Sequence, residues 1–288
     1  MVDLVPHETL TNNYHSGISP DDFFELLLEE LKQNSRLRGY YRFLSSDSGF
    51  FFRKAYFIER LKFIHEHITD KSSVIWDCGS GYGTTCLFLG LNGFKTFGST
   101  LEYYFKEIPE RMNYWRRYGN ADLFTTSYED MYDSHPADAS VDVIILQDTL
   151  HHLEPLQKAL SIFNKVLKPN GKIILIEENG ANIIQNIKLF LKRGNRRVIE
   201  YWDEKLGKKV MMGNENIRGM NSWTSEFEKQ NFRIIPEKTT YVRLFPPFMF
   251  NEEKYDRLIE RERTIWKNNA LLKKYFYFGI NMVIEKQK

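Results

Sequence analysis

Only two of the 288 residues are cysteine, Cys78 and Cys86, too few for a disulfide scaffold or a zinc site built from thiolates. One falls in a glycine-rich turn and the other in the helix expected after it, so both read as buried free thiols of a reducing cytosol. Charge of one sign is also lacking. Forty basic side chains against 38 acidic ones leave a formal net charge of +2, so any nucleic-acid or membrane contact must be a local patch. No apolar run nears the roughly 18 residues that cross a bilayer. The opening MVDLVPHETL has no basic segment followed by an apolar one, the mark of a secretory signal, and the expected location is cytoplasmic. His65 and His67 flank Glu66, but residues two apart do not share a helix face. The trio reads as surface, and no metal site is expected.

What is present is an alternation of strand and helix signals. Three apolar runs have the character of strands buried on both faces: Ser73-Val74-Ile75-Trp76, Val141-Asp142-Val143-Ile144-Ile145-Leu146 and Lys172-Ile173-Ile174-Leu175-Ile176. Between the last two, residues 154–167 carry apolar side chains at helical spacing, and Lys168-Pro169-Asn170-Gly171 closes the helix. That is a right-handed parallel crossover. Helices are expected over 84–92 and 103–118, with strands over 94–99 and 123–126. A helix starting at Trp223 is followed by β-rich segments 232–244 and 275–285, expected to close the sheet as an antiparallel pair. The fold class is α/β: a doubly wound, mostly parallel seven-stranded sheet with helices on both faces and the ligand crevice at the strands' carboxyl ends. Residues 1–70 form an N-terminal helical cap. Residues 71–288 form the main domain, with a lid insertion at 180–221 and a second insertion at 245–272.

The most informative stretch is Asp77-Cys78-Gly79-Ser80-Gly81-Tyr82-Gly83. Glycines let the chain reverse sharply between strand and helix and let its backbone approach a ligand closely. A dinucleotide-binding turn is the rival, but Thr84 stands where its third glycine belongs. Asp77 would also repel a diphosphate, whereas it would attract a sulfonium cofactor that carries a free amino group.

Residues 74–85, VIWDCGSGYGTT, resemble the first motif of class I S-adenosylmethionine-dependent methyltransferases. Val141-Asp142-Val143-Ile144-Ile145, Leu150-His151-His152-Leu153 and 166–172 resemble that family's second half, in order and spacing. The resemblance covers about residues 71–180 and implies S-adenosylmethionine as cofactor, with S-adenosylhomocysteine as product. It implies that Asp77 and the backbone of Gly79, Ser80, Gly81, Tyr82 and Gly83 hold the methionine amino and carboxylate groups. An acid after the second strand binds the ribose in this family. Here Thr100 takes its aligned place and Glu102 lies two residues on; Glu102 is favoured, with Thr100 and Leu101 lining the same pocket. The Gly-Ser-Thr-Leu run also resembles a subgroup of carbon methyltransferases. Ser127 and Tyr128 fall in the stretch that reads adenine, through backbone contacts where Ser127 replaces the usual acid. Gln147 should face the methionine side.

His152 and His151, just past the fourth strand, are the candidates for a general base or acceptor-orienting group, with local packing as the competing role. Of Glu177 and Glu178, at most one should face the crevice. Residues 183–193 read as an amphipathic lid helix with a cationic end, either packed on the core or meeting an anionic substrate or membrane surface. The aromatic run 50–53 with Tyr56 is expected to cap the cofactor. A small-molecule acceptor is expected, in a pocket built by the N-terminal helices, the lid and the 245–272 insertion. No nucleic acid is expected as partner: there is no basic stripe with interleaved aromatics, and Gln147-Asp148-Thr149-Leu150 stands where an Asn-Pro-Pro-aromatic motif would. A cofactor-binding scaffold or regulator without turnover is the alternative from another class.

Overall fold

A computed structural model describes residues 17–45 and 47–287; the opening segment read for a secretory signal and the first part of the cap lie outside them. The apolar runs form strands β1 (Val74–Cys78), β4 (Val141–Gln147) and β5 (Leu167–Glu178), joined by β2 (Lys95–Thr100) and β3 (Phe124–Tyr128). The order is β3-β2-β1-β4-β5, all parallel. The last strand, β10 (Gly279–Lys286), lies antiparallel beside β5. The seventh position is shared by two short strands, β8 (Phe232–Ile234) and β9 (Thr240–Val242), which pair with opposite ends of β10. The single strand expected over 232–244 is broken by a 3-10 turn at Pro236–Lys238, because proline cannot donate to the ladder. The sheet therefore has eight strands at seven positions.

Adjacent residues of the apolar runs serve opposite faces, which is why those runs are unbroken. Ile75, Val143, Ile145, Ile174 and Ile176 join one core. Trp76, Ile144, Leu146, Ile173 and Leu175 join the other, against α6 (Leu156–Val166) and α8 (Met220–Glu228). The first face is covered by α1 (Pro20–Gln33), α3 (Asp47–Glu66), α4 (Thr84–Leu91) and α5 (Ile108–Trp115), with the short α2 (Ser35–Tyr41) linking α1 to α3. Pro20 and the Ser19 hydroxyl, which accepts from the Asp22 N–H, start α1. Phe23 of α1 then stacks on Trp115 at 4.5 Å between ring centroids. The cap helices are thus built into the main core. The helix expected over 103–118 is instead a 3-10 turn followed by α5, whose first turn holds Pro109. His65 is half-buried with its ring against Phe88 and Phe94, so the expectation of a surface residue was wrong: that side of α3 covers α4.

The lid comprises α7 (Ile183–Arg193) and a hairpin, β6 (Val198–Asp203) with β7 (Lys208–Gly213). The second insertion forms α9 (Tyr255–Asn268) and α10 (Ala270–Tyr275). It braces α3 from outside: the Tyr56 hydroxyl donates to Glu262 at 2.5 Å, and Arg263 pairs with Glu59 at 2.5 Å. No helix among the described residues is long and apolar enough to cross a membrane.

Candidate active site

A cavity of about 1070 Å³ opens at the carboxyl ends of β1, β2 and β4, where this topology places ligands. Its floor is the glycine turn. Gly79, Gly81 and Gly83 have φ of 89°, 54° and 71°, a region costly for any residue with a Cβ. At Gly79 a Cβ would lie 2.4 Å from the Thr149 hydroxyl, and at Gly83 it would lie 2.6 Å from the Phe124 ring. From α5, the buried Arg111 donates to the Tyr82 carbonyl and the Thr84 hydroxyl, each at 2.7 Å. Its other nitrogens grip the Glu30 carboxylate of α1 in a fork at 2.8 and 2.7 Å. Trp115 donates to the same carboxylate at 2.9 Å.

Asp77 lies behind the cavity wall, fully buried. One carboxylate oxygen accepts from the Cys86 thiol at 3.4 Å, and the other has no partner. Burial pushes its pKa up to about 7. An ionised carboxylate there would be costly alone and favourable beside a cation, so the residues fit a ligand with an ammonium and a sulfonium. Cys78 and Cys86 are both free and buried.

At the end of β2, the Thr100 hydroxyl accepts from the Glu102 N–H at 3.1 Å. Thr100, Leu101 and Glu102 all line the cavity, and Glu102 is exposed at its mouth. Tyr128 lines it too; Ser127 does not, and its buried hydroxyl has no partner. The wall continues through Glu129 and Asp130. The hairpin closes over it. The Tyr128 hydroxyl donates to Asp203 at 2.9 Å, Lys205 lies over the Tyr128 ring at 3.9 Å, and Lys208 pairs with Asp130 at 2.5 Å.

Gln147 ends β4 in the cavity wall and donates to the Thr85 hydroxyl at 2.9 Å. Next to it Asp148 pairs with Arg60 of α3 at 2.6 Å, which fastens the cap to the site; both line the cavity. His152 lines it as well, and its Nδ1–H donates to the Gly213 carbonyl at 2.8 Å. The neutral ring is then left with Nε2 as an acceptor. His151 does not line the cavity. It is buried, with Nδ1 at 2.5 Å from Glu177 and Nε2 at 3.7 Å from Glu215 of the lid. Burial alone would lower its pKa, but the neighbouring carboxylates, Glu177 foremost, outweigh that and push it up to about 9. With its ring outside the cavity and Nδ1 committed to Glu177, it is a structural group rather than the base, a correction of the sequence reading. His151, His152 and Glu215 are also described residues whose atoms converge within 4.8 Å in a potential metal-binding group. Neither Glu177 nor Glu178 lines the cavity; Glu178 accepts from Gln185 at 2.5 Å.

Two further expectations are corrected. The 50–53 run and Tyr56 do not line the cavity; Phe52 and Tyr56 pack on Phe250. Tyr40, Tyr41 and Phe57 provide the aromatic wall instead. The 245–272 insertion also stays outside. The hairpin, Arg111 and the Arg60–Asp148 pair were missed altogether. The alternation of Val198 to Asp203 ahead of Gly207 was the available sign of the hairpin.

A parallel sheet of this order, with a glycine turn after β1 and an acid buried beneath it, defines the Rossmann-like class that binds S-adenosylmethionine. Residues 76–175 match the family described as methyltransferase domain, so this part of the chain is a methyltransferase domain with the class I, Rossmann-like fold. No curated protein matches its sequence. The fold is shared with a methyltransferase from Methanosarcina mazei at 15% identity and a TM-score of 0.52, over 78% of this chain and 96% of that one. It is shared with phosphoethanolamine N-methyltransferase 2 of Haemonchus contortus, solved with S-adenosyl-L-methionine, at 13% identity and a TM-score of 0.52 over 80% and 52%. The 4+2 cyclase SpnF is similar in fold at 16% identity, with a TM-score of 0.53 over 80% of each chain.

Proposed function

We propose that this enzyme methylates a small, partly apolar molecule held between the glycine turn and the lid hairpin. The observation that carries this reading is His152, set in the cavity wall with Nδ1–H committed to Gly213 and Nε2 left as an acceptor. When bound, S-adenosylmethionine supplies a methyl group on a cationic sulfonium. Asp77 and the backbone from Gly79 to Gly83 would hold its amino-acid end, Glu102 its ribose, and Tyr128 with the adjoining backbone its adenine. Gln147 faces the methionine side from β4. The hairpin turns Ile199, Tyr201, Val210 and Met212 to the cavity, a surface suited to an apolar acceptor body. Closing it excludes water and fixes the reactants in line, an effect worth roughly 7–11 kcal/mol in well-oriented cases. His152 Nε2 removes the acceptor's proton or holds its reacting group.

Incubating the enzyme with methyl-labelled cofactor and fractionated cell extract tests this. Label should enter the small-molecule fraction. Label confined to nucleic acid or protein would reject the acceptor class, and none in any fraction would favour a cofactor-binding regulator.

A further inference from the structure

The lid helix α7 is docked the wrong way round for a helix that belongs only to this molecule. Its buried residues are Gln185 and Leu189, and its inward face is tied by polar contacts. Asn182 caps the Gln185 N–H at 2.8 Å, Asn186 donates to the Gly180 carbonyl at 2.7 Å, and Gln185 donates to Glu178 at 2.5 Å. Its other apolar residues, Ile183, Ile184, Ile187, Phe190 and Leu191, are all exposed, Leu191 by 80%. At 3.6 residues per turn these five span an arc of about 120°. Among the described residues, nothing covers that stripe.

The charge around the stripe says what fits it. Residues 179–199 contain Lys188, Lys192, Arg193, Arg196 and Arg197 and no acidic residue, in a chain whose net charge is only +2. Glu215 is the acid that reaches this end, at 3.8 Å from Lys192. A second copy meeting the same face about a two-fold axis would offer these cations no acid, since residues 179–199 of the other copy contain none. The helix is also about 16 Å long, short for the roughly 800 Å² per partner of a stable protein interface. An apolar stripe with a cationic flank suits the boundary between acyl chains and anionic headgroups.

We propose that α7 seats this protein on an anionic lipid bilayer, with Ile187, Phe190 and Leu191 in the acyl boundary and Lys192, Arg196 and Arg197 at the headgroups. The inference does not depend on the acceptor assigned above. It is tested by co-sedimenting the full chain with phosphatidylcholine vesicles with and without 30% phosphatidylglycerol. The expected result is binding to the anionic vesicles that weakens in high salt. Phe190→Glu should reduce it at least tenfold. Replacing Lys192, Arg196 and Arg197 with serine should reduce it about a hundredfold, at about fivefold per cation. All these positions are on the surface, so unchanged thermal melting and S-adenosylhomocysteine binding would show that the variants remain folded. No binding to anionic vesicles, or binding that Phe190→Glu leaves intact, overturns the proposal. So does self-association that Phe190→Glu abolishes while vesicle binding is absent.

Discussion

The guanidinium of Arg111 donates to the main-chain oxygen of Tyr82 at 2.7 Å, so the middle of the glycine turn is held from α5 rather than by its own strand and helix. The same side chain is locked onto Glu30 of α1. The cap helix, α5 and the cofactor turn therefore share one buried charge. Arg111→Ala strands the Glu30 carboxylate, and breaking a buried pair costs about 3–5 kcal/mol. The expected outcome is a large drop in melting temperature together with weaker S-adenosylhomocysteine binding. Loss of stability with cofactor affinity intact would confine Arg111 to the core.

Gly83→Val introduces a Cβ into a left-handed conformation, 2.6 Å from the Phe124 ring. The expected result is loss of the thermal stabilisation that S-adenosylhomocysteine gives the native enzyme. A variant that still responds would show that the turn can relax around a side chain.

If Asp77 holds the cofactor's ammonium as proposed, cofactor affinity depends on pH. Burial raises its pKa to about 7, so the carboxyl is protonated below that pH and ionised above it. The ionised form attracts the cationic ligand; affinity for S-adenosylmethionine should rise from pH 5.5 to 7, by up to about tenfold per unit. Asp77→Asn should bind weakly with that dependence flattened, as read by calorimetric titration across the range. An unchanged pH profile in the variant would place the dependence elsewhere.

His152→Ala should lower kcat by about 10²–10⁴-fold with cofactor affinity nearly unchanged. Equal turnover in the variant would leave His152 with only its contact to the lid at Gly213.

His151 gives stability a second, opposite pH dependence. Its folded pKa of about 9 lies above the 6.5 of the free group, so its contribution is complete below pH 6.5 and is lost as pH rises through 9. The melting-temperature difference between the native enzyme and His151→Gln should be largest near pH 6 and shrink towards pH 9.5. A chelator should change neither melting nor turnover at pH 7, because Glu177 and Glu215 already balance the His151 ring. Chelator-sensitive turnover would assign the His151, His152 and Glu215 group to a metal after all.

What could be read from the sequence was what neighbouring residues decide together. The glycine turn announces itself because its backbone conformations demand glycine in one short run, and the strands because residues such as Ile144 and Ile145 each face a core. Partners far apart in the chain were invisible. Arg60 meets Asp148 across 88 residues, Arg111 meets Glu30 across 81, and Glu215 reaches His151 only because the hairpin folds back. The aromatic run 50–52 misled for a helical reason. Consecutive residues point in different directions around α3, so Phe52 turns to Phe250 while Phe57, a turn later, reaches the cavity.

The position of β10 bears on how the chain comes to be folded. It follows every other described strand of the sheet in the chain, yet it lies inside the sheet, with β5 on one side and β8 and β9 on the other. Until about residue 286 has left the ribosome, β5 has an open flank and the two short strands have nothing to pair with. During synthesis the segment through Glu178 can collapse around β1 to β5 while exposing a sticky edge. A stalled or clipped chain should therefore aggregate rather than work at reduced efficiency.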